Sequence, residues 1–353
     1  MAEASRDVAA LEYVKKNTPA LAGDRIARQE LSERRFEAEL AFHAEWSRLF
    51  DMRNTSFICY WNGKEKKCKT KRNFIELLSQ ACDAIYPDAP ILKNELINQR
   101  LLSSSASAAR RSLVEAMIFH AETPGLGITG YPPQRSIYES LLLNSGIHQE
   151  QLPEAIWKFG RPSNADRGLQ KAWDFIMDSV SAKELKPKSV AELFEDLTAP
   201  PFGIANGFAP ILVCACLLSN SSTMAVYEDN VFVPEVSLVV MERMMKRPEH
   251  FSILSYRMDG ERSSVINRFS KGFQVENGVL PVVRSLYNRM GNLPQFTLSS
   301  KDISNEAVAV RETILQAKSP ERLLFTDLPS ALGFEPFNSF ENNVAVRDKT
   351  GIL

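Results

Sequence analysis

A mainly α fold with small β hairpins, arranged in several lobes, is what this sequence predicts, and three observations carry the prediction. Apolar residues recur at helical spacing through most of the 353 residues. Alternation of apolar and polar residues is confined to about 55–61 and 223–258. The most apolar run, Phe208–Leu218, is far shorter than the roughly 20 residues that a membrane span requires. Hydrophobic residues make up 44% and charged residues 24%, an ordinary soluble composition. With a net charge of −1, any binding to nucleic acid has to come from a local patch, and no membrane partner is expected. Five cysteines (Cys59, Cys68, Cys82, Cys214, Cys216) are too sparse for a secreted disulfide framework, and the N-terminus lacks a signal-peptide core. A cytoplasmic location is expected.

Residues 3–50 read as helix in two pieces, divided by Pro19 and Gly23. Glu and Arg alternate through Asp24–Glu45, with Ile26, Leu31, Phe36, Leu40 and Trp46 at loosely helical spacing. Two readings fit: a solvated helix with one packed stripe, or a coiled-coil connector, although no strict heptad is held. Ser56–Tyr60 predicts a short strand, and Asn62-Gly63 the tight turn of a hairpin. A dense basic run follows: Lys64, Lys66, Lys67, Lys69, Lys71 and Arg72 against the single Glu65. Residues 73–85 form an amphipathic helix that Pro87 ends; Ile91–Asn98 and Ser103–His120 also read as helices, the second opened by a serine cap. Gly125–Pro133 is a loop on its glycine and proline content. Helices are predicted at Ser136–Asn144 and 164–180, a polar hinge at Lys183–Lys188, and helices at Arg262–Gly272, Leu280–Met290, Ser304–Ala317 and Ser319–Leu328. The tail Phe340–Leu353 has no packed terminal element, so the chain is expected to be a piece of something longer.

Ser189–Met258 is the stretch around which the chain is organised. Ser189 with Glu192 at the third position has the capping-box pattern for a helix to Leu197. The segment 199–207, with two prolines and two glycines, is a turn, and Phe208–Ser219 is the next helix, with Pro210 tolerated in its first turn. Met224–Tyr227 and Val231–Pro234 alternate around Glu228-Asp229-Asn230 as a hairpin. Helix, turn, helix, hairpin is the order of a winged helix, whose second helix usually reads the DNA major groove. A reading helix needs Arg, Lys, Asn or Gln facing base edges. Phe208–Leu218 has none, and its acidic hairpin turn repels phosphate, so the module is expected to be a core or protein-contact element.

Catalytic patterns are missing from the sequence: there is no phosphate loop, no G-x-S-x-G elbow and no H-E-x-x-H. Cys214 and Cys216 point to different sides of one helix and read as inert buried thiols rather than metal ligands. The four histidines, His43, His120, His148 and His250, read as surface or helix-end residues. Glu76 with Asp83, or Glu95 with Glu115, converge in space only if the fold happens to bring them together. No cofactor and no metal ligand set is predicted. The lysines of 64–72, beside Tyr60 and Trp61, either grip phosphates or form a solvated loop. Arg110-Arg111 and Lys246-Arg247 are weaker candidates that also fit helix exteriors.

Several stretches resemble parts of the large P-loop ATPases of bacterial phage-defence systems of the BREX type. They are 86–100 (YPDAPILKNELINQR), 103–117, 127–142 (GITGYPPQRSIYESLL), 198–213, 225–236 and 319–334 (SPERLLFTDLPSALGF), in collinear order. None is a catalytic signature. The resemblance implies a non-catalytic region of such an ATPase, whose nucleotide site lies elsewhere, and it transfers no catalytic residue. The resulting expectation is a helical segment 1–54, a helical domain with basic loop 55–160, a winged-helix-like module 161–260 and a helical region 261–353. Its function would be non-enzymatic assembly with other protein subunits or the remainder of the ATPase, with homo-oligomerisation open. The alternatives are DNA binding through 64–72, or a hydrolase or nuclease with a composite site.

Overall fold

The computed structural model describes residues 2–18, 24–49, 59–68, 70–99, 101–153, 155–163, 167–181, 186–256, 261–300 and 302–336. The predicted break at Pro19 and Gly23, residues 56–58 of the first strand, Lys69, residues 164–166, residues 183–185 of the hinge, Met258 and the tail 340–353 lie outside the described residues. The chain divides into two compact units, Met1–Ile85 and Tyr86–Leu353.

The first unit opens with helices α1 (Ala2–Asn17) and α2 (Arg25–Leu49), which pack on one another. Asp24 starts α2, its carboxylate accepting from the Ile26 and Ala27 amides at 2.9 and 3.0 Å. The exposed pair Glu30–Arg34 and the half-buried pair Arg35–Glu39 brace its turns. The expected packed stripe is not packed: Ile26 is 81% and Phe36 62% exposed. Steps of five residues rotate an apolar position by about 140°, so these side chains spread around the helix instead of sharing a face. Strands β1 (Cys59–Trp61) and β2 (Lys64–Lys66) then form an antiparallel hairpin, and α3 (Lys71–Ile85) follows.

The second unit begins with an irregular segment where 91–98 was expected to be helical. Side-chain amides explain the difference: Asn94 accepts from the Leu96 amide and donates to Ser136 and Ser140, while Asn98 donates to the Leu92 carbonyl at 2.6 Å. Helix α4 (Ser104–Phe119) is capped by the Ser103 hydroxyl. After the loop comes α5 (Pro133–Tyr138), which runs on through a wider turn to Leu143. A hairpin absent from the sequence expectation follows, β3 (His148–Gln151) with β4 (Ile156–Phe159). Its polar outer face hides the alternation, and His148 occupies an inward position.

Helix α6 (Arg167–Ser179), strand β5 (Lys188–Ser189), α7 (Val190–Thr198), α8 (Ala209–Ser219), β6 (Met224–Glu228), β7 (Val231–Val233), α9 (Leu238–Lys246) and β8 (Phe251–Ser255) complete the central region. Ser189 pairs in the sheet with Ser252 and its hydroxyl caps no helix, correcting the capping-box expectation; strand pairing has taken the residue instead. The antiparallel sheet runs β5-β8-β6-β7. Both of its faces are buried, so successive residues serve different cores. Met224, Val226, Phe251 and Ile253 face a core that contains all of α8 from Ala209 to Leu217, ringed by α4, α6, α7 and β4. Ala225, Tyr227, Leu254 and Phe232 face a second core. That core is roofed by α10 (Glu261–Phe273), α11 (Val279–Gly291), α13 (Asn305–Gln316), α14 (Pro320–Arg322) and α15 (Leu328–Ala331), the last two joined by a wider turn; α12 (Gln295–Ser299) lies between α11 and α13 in the chain and buries no residue. The fold is mainly helical with small antiparallel sheets. No described helix is long and apolar enough to cross a membrane.

Candidate functional site

Local chemistry explains the shape of the basic element. Asn62 and Gly63 both have positive φ (51° and 72°), the conformation that lets a two-residue turn match strand twist. Trp61 sits opposite Lys64, Tyr60 opposite Glu65, and Cys59 opposite Lys66. Side chains alternate across a strand, so Trp61, Lys64 and Lys66 share one face, and Tyr60 lies with Glu65 on the other. Lys64, Lys66, Lys67, Lys71 and Arg72 are all exposed. Arg72 pairs with Glu76 at 3.0 Å. Thr70 accepts from the Asn73 amide and so caps α3, which puts Lys71 and Arg72 in its first turn. That end of the helix already carries positive partial charge, so the cations gain no stability there and add to a local positive field. The structure therefore brings five of the six predicted basic residues together around a turn and a helix start; Lys69 lies outside the described residues.

Helix α3 bears an apolar stripe of Phe74, Leu77, Leu78, Ala81 and Ile85, and none of its residues is buried. Ile75, Leu78 and Ile85 are 50%, 47% and 42% exposed.

The hairpin turn after α8 is acidic, and both of its carboxylates have partners. Arg243 holds Glu228 through two bonds of 2.8 and 2.7 Å, and His250 Nδ1 meets Asp229 at 2.7 Å. The Asp229 carboxylate raises His250 above the usual histidine range. Within α8, burial drives the Cys214 thiol up to about 12 and Cys216 well above its ordinary value, which leaves both as protonated, inert thiols.

Of the other candidates, Arg111 pairs with Glu242, while Arg110 reaches only the Asn206 carbonyl at 3.5 Å and its Nε is buried without a partner. Burial lowers Arg110 from its ordinary value. Lys246 closes α9, where a cation suits the helix end. His120 ends α4 as expected. His148 corrects its expectation: it is fully buried, its Nε2 donating to the Ala121 carbonyl at 2.8 Å and its Nδ1 3.0 Å from the Tyr138 hydroxyl. Because a carbonyl only accepts, the proton is on Nε2 and Tyr138 donates to Nδ1. Burial lowers the His148 pKa and pushes Tyr138 up to about 12.

A cavity of about 930 Å³ lies between the sheet and the C-terminal helices, lined by Tyr227, Tyr256, Lys318, Ser319, Glu321 and Asp327 among others. The two tyrosine hydroxyls share a hydrogen bond, and burial raises both. Its charges are largely engaged, Glu321 by Arg262 and Asp327 by Arg322. Sequence reasoning missed this cluster, because Tyr227, Tyr256 and Ser319 meet only through sheet pairing and a distant helix start. Among the described residues no group of three His, Cys, Asp or Glu side chains is placed to hold a metal. No family model, curated protein or solved structure matches the chain.

Proposed function

We propose that this chain is a non-enzymatic interaction and assembly region, in keeping with its resemblance to the non-catalytic part of BREX-type P-loop ATPases. Its partners are the remainder of such an ATPase or accompanying subunits, in the cytoplasm. The carrying observation is α3: an amphipathic helix with Phe74, Leu77, Leu78 and Ile85 on one stripe and no buried residue. Exposed apolar surface of this kind is retained where a partner covers it. The winged-helix-like reading of 161–260 belongs to the same proposal. It is supported by the order α6, β5, α7, α8, β6, β7, and it departs from the simple form because β8 stands between β5 and β6. With α8 sunk in the core, the module serves as scaffold.

The test is capture of the ATPase subunits by the tagged chain, compared with a Leu78→Glu, Ile85→Glu variant. Loss of capture with unchanged thermal unfolding is expected. ATP hydrolysis by the purified chain, abolished by one substitution within it, would overturn the proposal. A second reading is DNA binding by the hairpin, favoured by the exposed cluster Lys64, Lys66, Lys67 and Lys71 at the positive end of α3. Alanine at all four is then expected to flatten the slope of log affinity against log salt by about 3 to 4 for duplex DNA. An unchanged slope removes that reading.

A further inference from the structure

Cys59 and Cys68 flank the basic hairpin, and neither is a ligand or part of a packed core. Cys59 is the residue paired with Lys66, at the open end of the two-stranded ladder. Cys68 lies two residues beyond Lys66, on the same face by strand alternation, and past the last paired position. Both are half-buried free thiols, and the neighbouring Cys68, after burial, pushes the Cys59 thiol up from its ordinary value. The diagonal across such a ladder is the longer one, about 7 Å between Cα atoms, slightly more than a disulfide accepts. Cys68 is free of the ladder, so its segment is able to close that difference without breaking the Trp61–Lys64 or Tyr60–Glu65 pairing.

We propose that Cys59 and Cys68 form a reversible disulfide that closes residues 59–68 into a ring around the lysine turn, with a peroxide as the oxidant. Cys68 attacks the peroxide oxygen as thiolate, its proton leaving to solvent; the O–O bond breaks, and protonation of the departing oxygen gives water and a sulfenic acid on Cys68. The Cys59 sulfur then displaces hydroxide from that sulfenic sulfur, the S–S bond forms, and the Cys59 proton joins the hydroxide as a second water. Overall two thiols and one hydrogen peroxide give one disulfide and two waters. Cys68 makes the first attack because it lies past the last paired position of the ladder, where its segment is free to move. A thiol reductant reverses the reaction. The ring fixes Trp61, Lys64, Lys66 and Lys67 in one arrangement, so oxidation sets the presentation of the basic face. This inference rests on the hairpin itself and stands whether the hairpin meets protein or DNA.

The experiment is hydrogen peroxide treatment of the full chain carrying Cys82→Ser, followed by alkylation, digestion and mass spectrometry. A linked peptide containing Cys59 and Cys68, lost on reduction, is expected. Trypsin is expected to cut at Lys64, Lys66 and Lys67 several-fold more slowly in the oxidised protein. Cys59→Ser in the same background is expected to give no internal link and to leave a trappable sulfenic acid on Cys68. Recovery of both thiols after peroxide, or links only between molecules, would overturn the proposal.

Discussion

Replacing Leu212 by Ala is the sharpest probe of the buried hub. Leu212 is 0% exposed and lies in the first half of α8, ringed by α4, α6, α7 and β4. The change removes three carbon atoms from a site with no route to water. At about 0.8 kcal/mol per buried methylene, transfer alone costs roughly 2.4 kcal/mol. A residual cavity raises this into the range of about 2.7–5 kcal/mol seen for leucine truncations. Urea unfolding followed by the fluorescence of Trp173, itself 3% exposed in the same core, reads the loss. With a slope of about 3 kcal/mol per molar urea, the midpoint falls by about 1 M while the slope stays constant. Leu218→Ala, at the half-buried end of the same helix, is expected to fall less. A Leu212→Ala shift below about 0.3 M would refute the assignment of α8 as the hub.

Three further outcomes follow from single sites. Neutral His148 is held below its unfolded value near 6.5, so the unfolded chain takes up its proton first as pH falls. Stability contributed by this residue is complete above about pH 6.5 and declines below it toward the folded value; in His148→Phe that part of the acid sensitivity should vanish, as measured by melting temperature between pH 7.5 and 5. A Cβ on Gly207 would stand 2.5 Å from the Ile97 carbonyl oxygen, which is backbone and cannot swing away. Gly207→Ala is therefore expected to cost about 1–3 kcal/mol in denaturant unfolding, whereas Gly160→Ala, with open space around it, costs no such clash. A thiol reagent is expected to label exposed Cys82 in the folded protein and to reach Cys214 and Cys216 only on unfolding; fast labelling of either would contradict their burial.

Much of the helical architecture is legible in the sequence because burial there follows period. The stripe of Leu169, Trp173 and Ile176 is buried as spaced, Ser103 and Ser304 cap the helices they announce, and Phe208–Leu217 is apolar all round because it is enclosed all round. What escaped depends on partners remote in the chain. Asn94 and Asn98 turn 91–98 into a loop by hydrogen bonds that no local propensity encodes. Strands β3 and β4 were hidden because only His148 and Phe159 point fully inward. The α2 residues look periodic by count but not by angle, which is why Ile26 and Phe36 end on the surface. For the candidate site, the lysine cluster and the Asn62-Gly63 turn are read directly. The facing of Trp61 with Lys64, and the placing of Cys59 diagonally from Cys68, needs the register.

Hydrogen–deuterium exchange on the full chain, alone and with the proposed ATPase partner, tests the central claim most directly. Amides of 209–219 are expected to be protected already in the free protein and unchanged by binding, while 71–85 gains protection in the complex. Exchange at 209–219 in the free chain that slows on binding, with 71–85 unaltered, would contradict the account by making α8 the contact surface.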